Sequence, residues 1–379
     1  MTTRRKRKLA TGVCLLAGVV ALGTIATLLD EGAAAQGQAA VQAPMFEVDP
    51  LWPKPLPNNW TIGNGIGITV DSADLVWMIH RTTGVPENFQ TPGASCCTVA
   101  PPIMGFNQEG DLTGSWGGPG EGFDWPDSNH GLWIDYKGNF WVSGNGDDDT
   151  QVLKFSPTGT FLLQIGTHGV RNGSNDTENF WKPTDGSVDE ATDEVYVADG
   201  YGNRRVIVFD SETGQYKRHW GAYGNMPDDT DLGLYDPNAP PAQQFRSPVH
   251  CAETSNDSLV YVCDRANDRI QVFNADGSFM KEGFIEKQTL GAGSTWDIAF
   301  SRDPEQTYIY LADGGNHKVH ILLRDTLEEL TTIGSGGKGP GQFYGAHNVV
   351  TDSLGNLYVS ETYGARIQKF VYKGLGPVS

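Results

Sequence analysis

The chain has 379 residues, enough for a large core, and its 48 glycines and 21 prolines favour a turn-rich β fold over a helical one. Acidic side chains outnumber basic ones by 46 to 27. Such a surface repels phosphate backbones, so nucleic acid is not an expected partner.

At the N-terminus, Arg4, Arg5, Lys6, Arg7 and Lys8 precede an apolar run from Val13 to Leu29, and Ala33-Ala34-Ala35 offers an A-x-A cleavage site. Residues 1–35 therefore read as an export signal that delivers the chain to the periplasm or the exterior. The 17-residue run is slightly long for a signal and slightly short for a membrane span. A retained anchor is the alternative, and only that alternative brings a membrane into play. The mature chain would carry 22 basic against 44 acidic residues, a net charge near −22 that suits a soluble protein, expected to be a monomer. Residues 36–60 form an N-terminal segment whose extended FEVDP (46–50) is expected to close the fold that follows.

Residues 61–373 are organised by a repeat. An aromatic-led strand recurs as VWMIHR (76–81), FWVSGN (140–145), VYVADG (195–200), VYVCDR (260–265), IYLADG (309–314) and LYVSET (357–362). A second strand follows most of them, as in QVLKF (151–155), RVIVF (205–209), RIQVF (269–273), KVHIL (318–322) and RIQKF (366–370). Turn signals then lead to a third short strand, for example in SPTGTFLLQIG (156–166). Anchor spacings of 64, 55, 65, 49 and 48 residues fit a core unit with inserted loops. Short strands at this spacing predict an all-β, six-bladed β-propeller, its last blade completed by the N-terminal strand.

Four cysteines remain after the signal. Cys251 and Cys263 flank the turn Asn256-Asp257-Ser258 symmetrically and are expected to face each other across a hairpin, where a disulfide is feasible. The adjacent Cys96 and Cys97 would then form a vicinal disulfide or stay as thiols.

The residues eleven before each anchor are Ile66, His130, Asp185, His250 and His347 in blades one, two, three, four and six, with Asp297 the match in blade five. These positions fall on the innermost strand, which lines the channel. With only 8 histidines in the chain, three at one register point to a shared ion. Three imidazoles with one place open suit catalytic zinc, although imidazole also takes iron, copper or nickel. The bland alternative is a hydrogen bond from each ring to nearby backbone. The other histidines read as structural: His168 and His219 in turns, His317 and His320 on a blade-five strand, His80 packed. Tyr201, Arg81 and Arg265 sit where strands leave the channel mouth. A tyrosine beside a divalent ion and arginines can act as a base, and an arginine fork can clamp a carboxylate. Packing for Tyr201, and pairing of Arg265 with Asp264 or Asp268, are the competing readings.

The repeat resembles the NHL family, with QFRSPVHCAETSNDSLVYVCDRANDRIQVFNADGSF (244–279) its clearest copy. IHR (79–81), NHGLWID (129–135), ADGYGNRRV (198–206), PVHCA (248–252), CDRANDRI (263–270) and AHNVV (346–350) together resemble a peptidyl-α-hydroxyglycine α-amidating lyase domain over roughly residues 60–370. That resemblance implies zinc on His130, His250 and His347, Tyr201 as proton acceptor, and Arg81 and Arg265 orienting substrate. The substrate would be a small-molecule or peptide C-terminal hydroxyglycine, split into an amide and glyoxylate. The family also carries structural calcium held by a carboxylate after the third histidine. Asn348 stands there in this chain, a neutral and weaker ligand that weakens the case for calcium. The insertions 82–102 and 224–243 are unusual, and they are expected to drape over the channel mouth and reshape the pocket. Two other functions stay open: a metal-dependent hydrolase such as a lactonase, and a non-enzymatic exported propeller that binds protein or glycan.

Overall fold

The computed structural model describes residues 41–87 and 96–378. The export segment 1–35, the start of the 36–60 segment and residues 88–95 of the first insertion lie outside the described residues. Residues Ala43–Gly376 form one compact unit.

Six four-stranded antiparallel sheets follow one another along the chain. Blade one comprises Gly65–Val70, Val76–His80, Ile103–Phe106 and Leu112–Trp116. Blade two comprises Asn129–Ile134, Phe140–Gly144, Val152–Phe155 and Phe161–Ile165, and blade three Pro183–Asp189, Glu194–Asp199, Arg205–Asp210 and Tyr216–Trp220. Blade four is built from Val249–Thr254, Val260–Asp264, Arg269–Phe273 and Phe279–Phe284, and blade five from Asp297–Phe300, Tyr308–Asp313, Lys318–Leu323 and Glu329–Ile333. Blade six has Ala346–Thr351, Leu357–Glu361 and Arg366–Pro377 from the C-terminus, and Gln42–Asp49 as its outermost strand. That strand starts earlier than FEVDP suggests, because backbone pairing continues past the apolar residues that marked it. The fold is a six-bladed β-propeller.

The core is divided into slabs between blades. Tyr196, Val206, Trp220, Phe245, Val262 and Phe273 pack blade three on blade four, while Cys251, Ile270, Ile298 and Leu311 pack blade four on blade five. Flat pleated strands rich in β-branched and aromatic residues are buried on both faces this way. The aromatic anchors are tied to the turns before them. Trp77 and Trp141 donate their indole N–H to Asp71 (2.9 Å) and Asp135 (3.2 Å), and the Tyr358 hydroxyl donates to Asp352 (3.0 Å).

A second device repeats three residues after the anchor. In blades three, four and six that residue is a buried carboxylate: Asp199, Asp264 or Glu361. Each accepts a backbone N–H from the segment leading into the inner strand, from Trp181 (2.9 Å), Arg246 (2.9 Å) and Tyr344 (2.7 Å). Each also pairs with an arginine at the head of the next strand, Arg205 (2.9 Å), Arg269 (2.7 Å) and Arg366 (2.5 Å). In blade five Asp313 pairs with His320 instead. In blade one the position is His80, whose Nδ1 accepts from Gly63 N–H at 3.1 Å, so a ring nitrogen replaces the carboxylate oxygen.

Two sequence assignments need correction. His219 lies on the outer strand of blade three, where its Nδ1 meets the Tyr216 hydroxyl, and not in a turn. His317 precedes the blade-five strand in a left-handed turn conformation, and only His320 is on it. Sulfurs lie at bonding distance in both cysteine pairs, Cys96–Cys97 and Cys251–Cys263.

Candidate metal centre

The inner strand of each histidine-bearing blade breaks its ladder at the same place. Asn129 pairs with Gly144 and Leu132 with Val142, so His130 and Gly131 together face Ser143 alone. His250 and Cys251 likewise face Cys263, and His347 and Asn348 face Ser360. These are β-bulges, which carry one extra residue and re-aim a side chain out of the regular pleat. Each bulge is also fastened. Ser143 Oγ accepts Gly131 N–H at 3.1 Å, Ser360 Oγ accepts Asn348 N–H at 3.2 Å, and in blade four the cysteine pair spans the bulge. Gly131 is required sterically, since a Cβ there would lie 2.4 Å from the Thr184 carbonyl oxygen of the next blade.

The bulges bring the three rings together. Centroid separations are 5.1 Å for His130–His250, 5.0 Å for His130–His347 and 4.8 Å for His250–His347. One ligand nitrogen from each lies within 4.8 Å of the other two. Every Nδ1 is anchored away from the cluster: on Thr184 O (2.9 Å), on Trp296 O (2.5 Å) and on Asn348 Oδ1 (2.5 Å). Anchoring Nδ1 fixes the tautomer and leaves Nε2 as the inward donor, the arrangement metal-bound imidazoles take. Burial holds His130 and His250 well below the usual histidine range and His347 down to about 3, so all three stay neutral, as ligation requires. The donor set therefore fits a transition metal ion.

Tyr201, on the turn between the second and third strands of blade three, places its hydroxyl 3.3 Å from His130 Nε2 and 3.4 Å from His250 Nε2. Arg265 donates to that hydroxyl at 3.0 Å, donates to Ala292 O at 2.8 Å and lies 4.2 Å over the Trp296 ring. It does not pair with its acidic neighbours: Asp264 is engaged by Arg269, and Asp268 accepts from Ser294 N–H. Arg81 approaches from blade one, bonded to Asn129 O and Asn145 Oδ1, and its charge is felt by His130 and His347. All six residues singled out in the sequence thus meet at one end of the channel.

Asp185 and Asp297 do not join the histidines. Their carboxylates group with that of Glu253, a residue the register argument missed because it lies three positions past His250. Burial and then repulsion from its partners raise Asp185 and Glu253 well above the usual carboxylate range, and burial lifts Asp297 to about 7. Asn348 joins the two clusters, accepting from His347 and donating Nδ2–H to Asp185 at 2.8 Å. Both ends of the Asn348 amide are thereby engaged.

Comparison with known proteins follows the same lines. No family model matches the chain. A peptidyl-glycine alpha-amidating monooxygenase A of Xenopus laevis is 28% identical over 248 residues, covering 64% of this chain and 24% of that protein. A probable peptidyl-alpha-hydroxyglycine alpha-amidating lyase of Caenorhabditis elegans is 30% identical over 146 residues, 38% of this chain and 37% of the relative. The chain is a relative of amidating lyases and NHL-repeat proteins. NHL repeat-containing protein 3 of Mus musculus supplies the second link, at 23% identity over 349 residues that cover 87% of this chain and 85% of that one. The matched stretch thus spans about a quarter of the length of the amidating monooxygenase and most of the NHL-repeat protein. Among solved structures, an auxiliary nutrient binding protein from Bacteroides thetaiotaomicron superposes with a TM-score of 0.56 at 10% identity, covering 88% of this chain and 78% of that one. A protein of unknown function from the same organism gives 0.54 at 13%, with 88% and 77% covered. Both show the propeller fold alone.

Proposed function

We propose that the chain is an exported, zinc-dependent lyase that cleaves α-hydroxyglycine-type carbinolamides to an amide and glyoxylate. The observation that carries this reading is the Tyr201 hydroxyl lying against two of three converging imidazoles with Arg265 behind it. Similarity to a protein named as a hydroxyglycine amidating lyase supports the same reaction.

His130, His250 and His347 would hold the ion through Nε2. When bound, zinc would supply Lewis acidity toward the substrate carbinol oxygen. Tyr201 is placed to take the carbinol proton. As it does so the C–O bond becomes a carbonyl, the C–N bond breaks, and a proton passes to the departing amide nitrogen. Arg265 puts fixed positive charge beside the tyrosine oxygen, where electrostatic stabilisation needs no reorganisation. Arg81 lies across the cluster from it and is the candidate clamp for the carboxylate that leaves with glyoxylate. The atoms balance without a covalent enzyme intermediate.

The test is product analysis with purified, zinc-loaded protein and a panel of N-acyl-α-hydroxyglycines. Stoichiometric glyoxylate and amide support the lyase. A ring-opened acid from lactones, without glyoxylate from the panel, would place the protein among hydrolases instead.

A further inference from the structure

A cavity of about 330 Å³ lies beside the turns that carry Tyr201 and Arg265. Ser247 and Ala266 belong to its lining, and both are tied to the reaction centre. Ser247 Oγ donates to the Tyr201 carbonyl oxygen at 2.9 Å, and Ala266 follows Arg265 in the chain. Over them stand Leu232 and Leu234 from the 224–243 insertion, and Leu290 from the loop leading into blade five.

The insertion is fastened in place. Arg204 bonds to Thr230 O, Arg246 bonds to Gly233 O and, at 3.0 Å, to Asn267 Oδ1, and the Tyr235 hydroxyl donates to Lys287 O at 3.1 Å. The two guanidiniums in the pocket wall are therefore engaged in holding the loop, and Asp231 in the same wall accepts Gly233 N–H at 3.0 Å, which leaves Leu232, Leu234, Ala266 and Leu290 as the apolar part of the lining. Yet Leu234 is 97% exposed and Leu290 is 64% exposed. Single exposed leucines are ordinary, but Leu232, Leu234 and Leu290 gathered around one cavity, two of them on a fixed loop, suit a binding surface.

We infer that this pocket seats an apolar group carried on the amide side of the substrate, an alkyl or aryl acyl chain or an apolar side chain next to the scissile amide. The inference rests on the lyase reading and adds the substrate class. The site end of the molecule, the hydroxyglycine, meets Tyr201 and the arginines, while the remainder extends across Ser247 and Ala266 toward Leu234 and Leu290. A substrate with an anionic group at that place would gain nothing from the leucines and would face the Asp231 carboxylate.

The experiment uses the zinc-loaded protein and N-acetyl-, N-butanoyl- and N-hexanoyl-α-hydroxyglycine, with N-acetyl-leucyl- and N-acetyl-seryl-α-hydroxyglycine as the peptide arm. Specificity, kcat/KM, is expected to rise about fourfold for each added methylene that is buried, until the pocket fills. Leu234→Ser and Leu290→Ser should flatten that rise through KM. The steeper of the two arms identifies the source of the apolar group. Calorimetry with the unreactive N-acetyl- and N-hexanoylglycines separates this inference from the reaction. Tighter hexanoyl binding, lost in both serine variants, upholds the pocket even if no glyoxylate forms. Glyoxylate release with no dependence on acyl length, or a dependence the variants leave intact, overturns the inference and leaves the lyase standing.

Discussion

Tyr201→Phe is the sharpest single test of the reaction centre. The substitution removes one oxygen and keeps the ring, which sits edge-on at 5.2 Å to His130 and 5.8 Å to His250. Lost with the oxygen are the contact to Arg265 at 3.0 Å and those to two histidine nitrogens at 3.3 and 3.4 Å. The three nitrogen ligands and their Nδ1 anchors are untouched, so zinc content should stay at the wild-type ratio. Stability should change by no more than about 1 kcal/mol, the net worth of one partly exposed hydrogen bond. Removal of a positioned base typically slows a reaction by about 10²–10⁴-fold, or roughly 3–5 kcal/mol in the barrier. The loss should fall on kcat, because the substrate carboxylate is held elsewhere. Initial rates of glyoxylate release, with metal analysis on the same preparation, measure both quantities. A variant within threefold of wild type would falsify the assignment of Tyr201 as base, and one that lost its zinc would mean the hydroxyl is a ligand.

Four further outcomes are expected. His250→Ala should abolish both tight zinc binding and glyoxylate release, read by metal analysis after dialysis and by turnover before and after chelation. Asn348→Leu strips the side-chain partner from His347 Nδ1 and should weaken zinc about 10–100-fold in chelator competition, whereas Asn348→Asp, which still accepts that bond, should not. Arg205→Met leaves Asp199 buried without its cation, and should lower unfolding free energy by about 3–5 kcal/mol in a denaturant titration. His320 is buried, which lowers its pKa, but the hydrogen bonds its ring donates to Asp313 and Glu329 outweigh burial and raise it. Its stabilisation is therefore full below the ordinary value of 6.5 and lost as pH climbs through the raised one. The Tm of wild type should fall over that interval relative to its value below pH 6.5, and His320→Gln should lose that fall.

The aromatic-led strands made the propeller legible, since each anchor lies at the start of the second strand of a blade and the repeat survives the long insertions 82–102 and 224–243. Counting back from the anchors located the three histidines, because the repeat preserves their register. It failed for Asp185 and Asp297 as co-ligands. Blade three breaks its ladder there too, between Pro183 and Asp185, but Asp185 pairs with Ala198 and Asp297 with Ala312 in the regular ladder. His130, His250 and His347 sit in the break itself, a difference to which a register count is blind. Glu253 was missed for the complementary reason: it lies off the counted position and only the closed ring places it near residues of two other blades. His80 looked like a packed histidine and turns out to replace a carboxylate, which no spacing rule distinguishes. The partners of Arg265 were also beyond the sequence, since Trp296 and Tyr201 reach it from opposite directions in the chain.

In blades three, four and six the carboxylate that receives a backbone N–H ahead of the inner strand, and is itself locked to an arginine, isolates the channel wall from whatever precedes it. In blade four the 224–243 insertion ends just before Arg246, whose amide is the one received by Asp264. A loop of any length can be spliced upstream of that clasp while His250 keeps its height in the ring. Natural variation or a designer can therefore exchange the rim of the pocket, and with it the choice of substrate, as a cassette that leaves the metal ligands where they are.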